Sequence, residues 1–199
     1  MGDPKFSRRS YETPKHPWEQ ARMDEERKLL LKYGLKNKRE LWKAQSQLRD
    51  IRRQARLLQA RVRAKLPQAE KEAALLLERL ARQGLLNAAS PTLDDVLALT
   101  VPDLLSRRLQ WVSYVKGLAG SVKQSRQLIV HGHVGFGDHR VTRPGYLVRR
   151  DEELRLSYHE TSPLTDEAHT LRSALREKAQ AAETAPPEIP AAPAPEGGA

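Results

Sequence analysis

Cysteine is absent from this 199-residue chain, which excludes disulfides, thiolate zinc sites and iron–sulfur centres and agrees with a reducing cytosol. No apolar run approaches the roughly 20 residues that a membrane-spanning helix needs. The opening MGDPKFSRRSYETPK has no apolar core of the secretory kind, so export is not expected and the cytoplasm is. A phosphate-binding glycine loop is also missing: Gly117, Gly120, Gly132, Gly135 and Gly137 are spaced as helix ends and turns. Two carboxylate groups, Asp94-Asp95 and Asp151-Glu152-Glu153, read as a helix N-terminus and a turn between strands, not as a catalytic pair. His131 and His133 have neither cysteine nor a nearby carboxylate beside them, so no metal site is expected. No catalytic residue, cofactor or small-molecule substrate is expected either.

What is present is positive charge, and it is unevenly placed. The net charge is +10. Residues 1–66 hold 19 Lys and Arg against 8 Asp and Glu, and residues 101–150 hold 9 against 2, while 67–100 and 151–199 are net acidic. Two basic blocks separated by an acidic one point to a polyanionic partner gripped at two places. With 39% hydrophobic residues, the chain can bury one modest core or two small ones.

Residues 1–16, with Lys5, Arg8 and Arg9, lack apolar periodicity and read as a basic extended arm that orders only on a partner. A helix is expected from Pro17 or Trp18 to Gly34. Lys36, Asn37, Lys38 and Arg39 then open the next helix, with Asn37 as its cap and Glu40 three residues on, and form a phosphate seat at a positive dipole end. In that helix Leu41, Ala44, Leu48, Ile51, Ala55, Leu58 and Val62 recur at spacings of three and four. Arg49, Arg52, Arg53, Arg56 and Arg63 collect on a face away from that seam. Between Leu41 and Pro67 only Asp50 is acidic, so pairing along the helix cannot neutralise them; phosphate contact is favoured over a merely solvated face. A further helix runs from Pro67 to Gln83, and Thr92 with Asp95 and Thr100 with Asp103 begin two short ones. Beyond His131 the pattern turns to period two through Val134, Phe136, Val141, Tyr146, Val148, Leu154, Leu156 and Tyr158, a small antiparallel sheet. A last helix is expected over 166–183 and a disordered Ala/Pro/Glu tail over 184–199.

The segment LSRRLQWVSYVKGLAGSVKQSRQLIVHGHVGFGDHRVTRPGYLV, residues 105–148, carries the most chemistry. Helical spacing puts Leu105, Leu109, Val112 and Val115 on one face and Arg107, Gln110 and Tyr114 on another. A second helix starts at Ser121, capped with Gln124, and turns Lys123, Arg126 and Gln127 outward while Val122, Ser125, Leu128 and Ile129 turn inward. Guanidinium forks suit phosphate and amides can read a 2′-hydroxyl or base edge, so the mixture favours folded RNA. Arg107, Arg108, Gln110, Lys116, Ser121, Lys123, Gln124, Arg126, Gln127, His131, His133, Arg140 and Arg143 are the candidate contacts here.

The order RRLQ, GLAGSVKQSRQLIVHGHV and VTRPGYLV resembles the RNA-binding module of the small-subunit ribosomal protein four family, and YETPKHPWEQARMDEERKLLLKYGLKNKRELW resembles the N-terminal region of its archaeal and eukaryotic branch. The resemblance covers roughly Pro4 to Leu164. It implies a mainly α fold with a small α+β RNA-binding module: a helical lobe over 17–103, then the module over 104–164. It also implies early, direct binding of 16S-type ribosomal RNA at a multi-helix junction, nucleation of the subunit body, and an influence on accuracy. Contact with small-subunit protein five and a place near the mRNA entry channel are further implications. Beside the alternative of a non-ribosomal RNA-binding accessory or general nucleic-acid-binding helical protein, two rivals stand: an RNA-modifying enzyme or tRNA synthetase that carries the module as an appendage, and a general DNA-compacting or coiled-coil protein suggested by the arginine seam alone. The first lacks a catalytic domain in this chain, and the second leaves the mixed polar faces unexplained.

Overall fold

The apolar seam of one long helix organises the N-terminal half. In the computed structural model, which describes residues 9–86, 91–166 and 168–175, helix α2 spans Lys38–Arg63 and buries Leu41, Ala44, Leu48, Ile51, Ala55 and Leu58. Burial at three- and four-residue steps gives a helix one continuous stripe to pack. Helix α1 (Gln20–Lys32) lies against it, α3 (Pro67–Arg82) folds back along it, and α4 (Leu93–Ala98) and α5 (Val101–Ser106) close the lobe. One core runs from Tyr33 to Leu105 through Leu80, Val96 and Leu104. The carboxylates of Asp95 and Asp103 accept from the Thr92 and Thr100 backbone N–H groups at 2.8 Å, which satisfies donors that a helix start leaves open.

A second core holds Leu109, Val112, Leu128, Ile129, Val134, Val148, Leu156 and Leu164. It is built from α6 (Leu109–Val115), α7 (Val122–His131), β1 (Val134–Phe136), β2 (His139–Arg140), α8 (Arg150–Arg155), β3 (Leu156–Tyr158) and a single 3₁₀ turn at Pro163–Thr165. The sheet order is β2-β1-β3, antiparallel, with Gly135 opposite Arg140 on one side and Ser157 on the other. Residues 170–175 are helical; the rest of the expected last helix and the tail lie outside the described residues.

Several expectations are corrected. Residues 105–115 are not one helix: α5 stops at Ser106 and α6 begins at Leu109, because Arg108 pairs across to Leu147 as a β-bridge. Val115, expected inside, is 67% exposed. Asp151-Glu152-Glu153 is the first turn of α8, where Glu152 accepts from the Arg149 N–H at 3.0 Å and acidic charge suits the helix dipole. Leu154 therefore sits on a helix, 86% exposed, and not in the sheet, and Tyr146 and Val148 also lie outside it. Asn37 precedes α2 without a side-chain cap bond. The described part of the arm rests on α2: Tyr11 packs on Trp42 with ring centroids 6.1 Å apart, Glu12 pairs with Arg49, and the Glu12 N–H donates to Ser46 Oγ at 3.1 Å.

Leu109 is fully buried at the start of α6. Leu109→Ala should lower the unfolding free energy by about 3 kcal/mol through lost transfer energy and the cavity left behind. Urea titration measures it, and a loss under about 1 kcal/mol would contradict the packing described.

Candidate nucleic-acid interface

The two cores meet at one carboxylate. Glu40, in the first turn of α2, receives Arg108 Nη2 at 2.8 Å on Oε2, Arg126 Nη1 at 3.1 Å on the same oxygen, and Arg126 Nη2 at 2.6 Å on Oε1. Burial would raise the Glu40 pKa, but hydrogen bonds and charge from Arg126 and Arg108 outweigh it and hold the carboxyl below its ordinary range. Burial pulls Arg108 below the usual arginine value, partly opposed by Glu40. Gln110 completes the knot. Its amide donates to the carbonyls of Gly34 at 2.9 Å and Val122 at 3.0 Å, while its oxygen accepts from Arg126 at 3.2 Å. Gly34 has φ +59°, and a Cβ there would lie 2.8 Å from Val122 Cγ1, so the turn before α2 seats directly against the start of α7.

Gln110 and Arg108, expected on outward faces, are thus 1% and 8% exposed and work as internal fasteners. The same holds for neighbours chosen on composition. Arg107 reaches the other way, donating to the Gln83 carbonyl at 3.1 Å, the Val148 carbonyl at 3.0 Å and Glu153 at 2.9 Å. Lys116 Nζ binds the carbonyls of Glu153 at 2.7 Å and Leu156 at 2.8 Å, which closes the C-terminus of α8. Ser121 caps α7 by accepting from the Gln124 N–H at 3.2 Å, and Gln124 returns the favour to the Gly120 N–H at 2.8 Å. Arg52 donates to the Leu99 carbonyl, and His133 Nδ1 shares a 2.9 Å hydrogen bond with Ser162. In Lys38 the ammonium pairs with buried Glu26 at 3.1 Å. Burial pushes the Glu26 carboxyl up, and hydrogen bonds from Trp42, Lys38 and Arg22 with the charge of Arg22 more than reverse the shift.

The remaining candidates face solvent. Lys36, Asn37 and Arg39 lie at the start of α2, Lys123, Gln127 and His131 on the outer side of α7, Arg140 on β2, and Arg143 in the loop before Leu147, the bridge partner of Arg108. Arg49, Arg53 and Arg56 are exposed along α2 with Arg9 above Tyr11 in the arm, Arg53 pairing with Asp50 at 3.0 Å; Lys5 and Arg8 lie outside the described residues. The Gly34 contact seats the turn that precedes Lys36–Arg39 against Val122, the residue before Lys123. Among the described residues no group of three or more His, Asp or Glu converges as a metal site.

Residues 107–154 match the S4 domain, and residues 5–106 match the ribosomal protein S4/S9 N-terminal domain. The chain is 51% identical over 180 residues, 90% of each chain, to the small ribosomal subunit protein uS4 of Thermoplasma volcanium. It is 53% identical over 172 residues, 86% of this chain and 93% of the relative, to uS4 of Picrophilus torridus. The chain belongs to the uS4 family. As a uS4 protein it is a ribosomal protein, a structural constituent of the small subunit and not an enzyme. The division between the two uS4 matches falls at 106 and 107, between the last residue of the first core, Leu105, and the first of the second, Leu109.

Sequence reasoning passed over Glu40 as a capping partner, although it is the only acid between Glu26 and Asp50. Glu40→Gln should cost about 3 kcal/mol, because it leaves two largely buried guanidiniums without their counter-charge. The pKa of Glu40 is lowered in the folded state, so its contribution is fully present above the ordinary carboxylate range and fades as pH falls through the folded value. Urea titrations from pH 7 into acid should show the gap between wild type and Glu40→Gln closing; a gap that is constant with pH would contradict the ionised triad.

Proposed function

We propose that this uS4 protein is a primary binder of 16S-type ribosomal RNA, acting in the cytoplasm, that holds several RNA helices at a junction and so nucleates the body of the small subunit. The observation that carries the reading is the seam: an ion-paired knot fixes the two lobes while exposed Lys36, Arg39, Lys123 and Arg143 surround it. Two modest, salt-sensitive grips joined rigidly raise each other's effective concentration, provided the RNA helices stand at the matching angle. Specificity then comes from RNA shape and 2′-hydroxyls more than from base sequence. The RNA contacts are Lys36, Asn37, Arg39, Lys123, Gln127, His131, Arg140 and Arg143 at the seam and module, with Arg49, Arg53 and Arg56 along α2 and Lys5, Arg8 and Arg9 in the arm. Arg107, Arg108, Gln110, Lys116, Ser121, Gln124 and Arg52 support them from within, with Lys38 and His133 turned toward Glu26 and Ser162.

A neighbouring protein also fits this reading. Exposed Val115 and Leu154 flank a groove of about 600 Å³ between α6 and α8, with Trp111 on its lining, an apolar surface of the kind that a protein partner covers. Small-subunit protein five is the proposed occupant, with mRNA passing near the same part of the subunit and accuracy affected through that contact.

Binding is tested by competition at physiological ionic strength. The protein should prefer a folded small-subunit RNA junction over duplex DNA or unstructured RNA of equal length, and equal displacement by all three would reject the ribosomal reading. Lys123→Ala and Arg143→Ala should each reduce the slope of log affinity against log salt by about 1, since each removes one phosphate contact.

A further inference from the structure

Beside the Glu40 knot, between α2 and the loop that leads from Arg143 to Leu147, lies an open cleft of about 350 Å³. Its floor is apolar, made by Ala44, Leu104 and Leu147. Pro144 and Gly145 form one wall, and the loop is held in place by bonds from the Leu109 N–H to the Tyr146 carbonyl at 2.7 Å and from the Gln110 N–H to the Pro144 carbonyl at 3.3 Å. Gly145 lets that wall approach closely, since a Cβ there would lie 3.3 Å from Arg108 Nη2. Lys43 and Gln47, both exposed on α2, stand at the mouth.

The chemistry of the lining narrows what can enter. Glu40 contributes one negative charge against Arg108, Arg126 and Lys43, so the cleft is net positive. A phosphate held by arginine uses the N–H edge of the guanidinium. Here the edge of Arg126 is committed to both Glu40 oxygens and to Gln110, and Arg108 Nη2 is committed to Glu40. What the two pinned guanidiniums still offer is a flat face, on which unstacked bases pack, and the Arg108 Nε–H, which is buried without a hydrogen-bond partner. Lys43, whose ammonium has no ion-pair partner among the described residues, supplies the point charge for a phosphate, and the Gln47 amide supplies a donor and an acceptor for a base edge. The volume lies near the lower end of the roughly 300–1,000 Å³ range of small-ligand pockets, enough for a nucleotide and far too small for a duplex.

We infer that this cleft receives a single unpaired nucleotide of the bound RNA, its base against the Arg108 and Arg126 faces and its phosphate at Lys43. The inference rests on the RNA-binding reading above and adds a base-accepting site to a surface otherwise suited to backbone contact. It also gives the Glu40 knot a second role, because the ion pairs that lock the lobes orient the faces on which the base lies.

The test plugs the mouth without touching the knot. Full-length wild type and Gln47→Trp are titrated against a 16S-type small-subunit RNA transcript and a fully paired RNA duplex, with thermal melting as the folding control. Gln47→Trp should weaken binding to the transcript by about tenfold, the scale of one lost base-stacking contact, and leave the duplex unchanged because paired bases cannot enter. Lys43→Met, a smaller change at the same mouth, should weaken transcript binding by about threefold and keeps the test open should the tryptophan variant melt early. Chemical footprinting of base edges should find an unpaired nucleotide that wild type protects and Gln47→Trp exposes again. Equal losses on both RNAs, no loss on either, or no such nucleotide overturns the inference. The RNA-binding reading is judged separately, by wild type alone: a wild type that prefers the transcript beside a silent Gln47→Trp removes only the cleft.

Discussion

Glu40 sits where α2 of one lobe meets α6 and α7 of the other, and the geometry of the whole surface follows from its two arginine partners. Taking a carboxylate and two guanidiniums partly out of water is costly, and their mutual attraction offsets most of that cost without a large surplus. The hydrophobic cores supply the bulk of the stability. What the knot supplies is direction: a carboxylate that accepts three hydrogen bonds tolerates little rotation of the lobes, whereas the apolar contact of Trp111 with the first core, its ring 4.7 Å from Tyr33, would survive a modest slip. Packing brings the lobes together, and the ion pairs fix their angle.

The adjacent pair Arg107 and Arg108 illustrates how one dipeptide can fasten two interfaces. At the break between α5 and α6 the backbone changes from helical at Arg107 (φ −85°, ψ 0°) to extended at Arg108 (φ −71°, ψ 140°), which bridges to Leu147, so the two side chains leave in different directions. Arg108 goes to α2, and Arg107 goes to the end of α3 and to α8. A continuous helix would have set these two only 100° apart, and both could not have reached such distant partners.

Much of the fold was legible in the sequence because it depended on local pattern. The α2 seam, the Pro67 start of α3, the Thr-x-x-Asp boxes and the Ser121 cap all declare themselves within four or five residues. The errors arose where distant partners decide. Leu154, Leu156 and Tyr158 alternate as a strand would, yet Glu152 caps a helix turn through the first of them. Arginines and glutamine at 107–110 have the chemistry of RNA contact, and composition cannot tell an arginine that meets phosphate from one that meets Glu40, 68 residues earlier. A charged group surrounded by apolar residues at helical spacing needs an internal partner when it is buried, and the isolated acid in a basic segment was the available signal. Which side chains of the two basic regions reach outward was therefore not legible: Arg107, Arg108 and Gln110 turn to partners inside the protein.

The division between buried and exposed arginines also separates two electrostatic regimes. Salt at physiological strength screens exposed charges beyond about 8 Å, so Lys36, Arg39, Lys123 and Arg143 lose attraction for phosphate steadily as ions are added. The Glu40 pairs are short, half-buried and hydrogen-bonded, and added ions cannot enter between them. On the proposed RNA-binding function, ionic strength loosens the grip on RNA without loosening the platform that presents it. A surface whose cations were positioned by exposed ion pairs would lose affinity and shape together. Here the shape is kept by charges that never meet the solvent in full, so the exposed cations keep one arrangement as ionic strength changes.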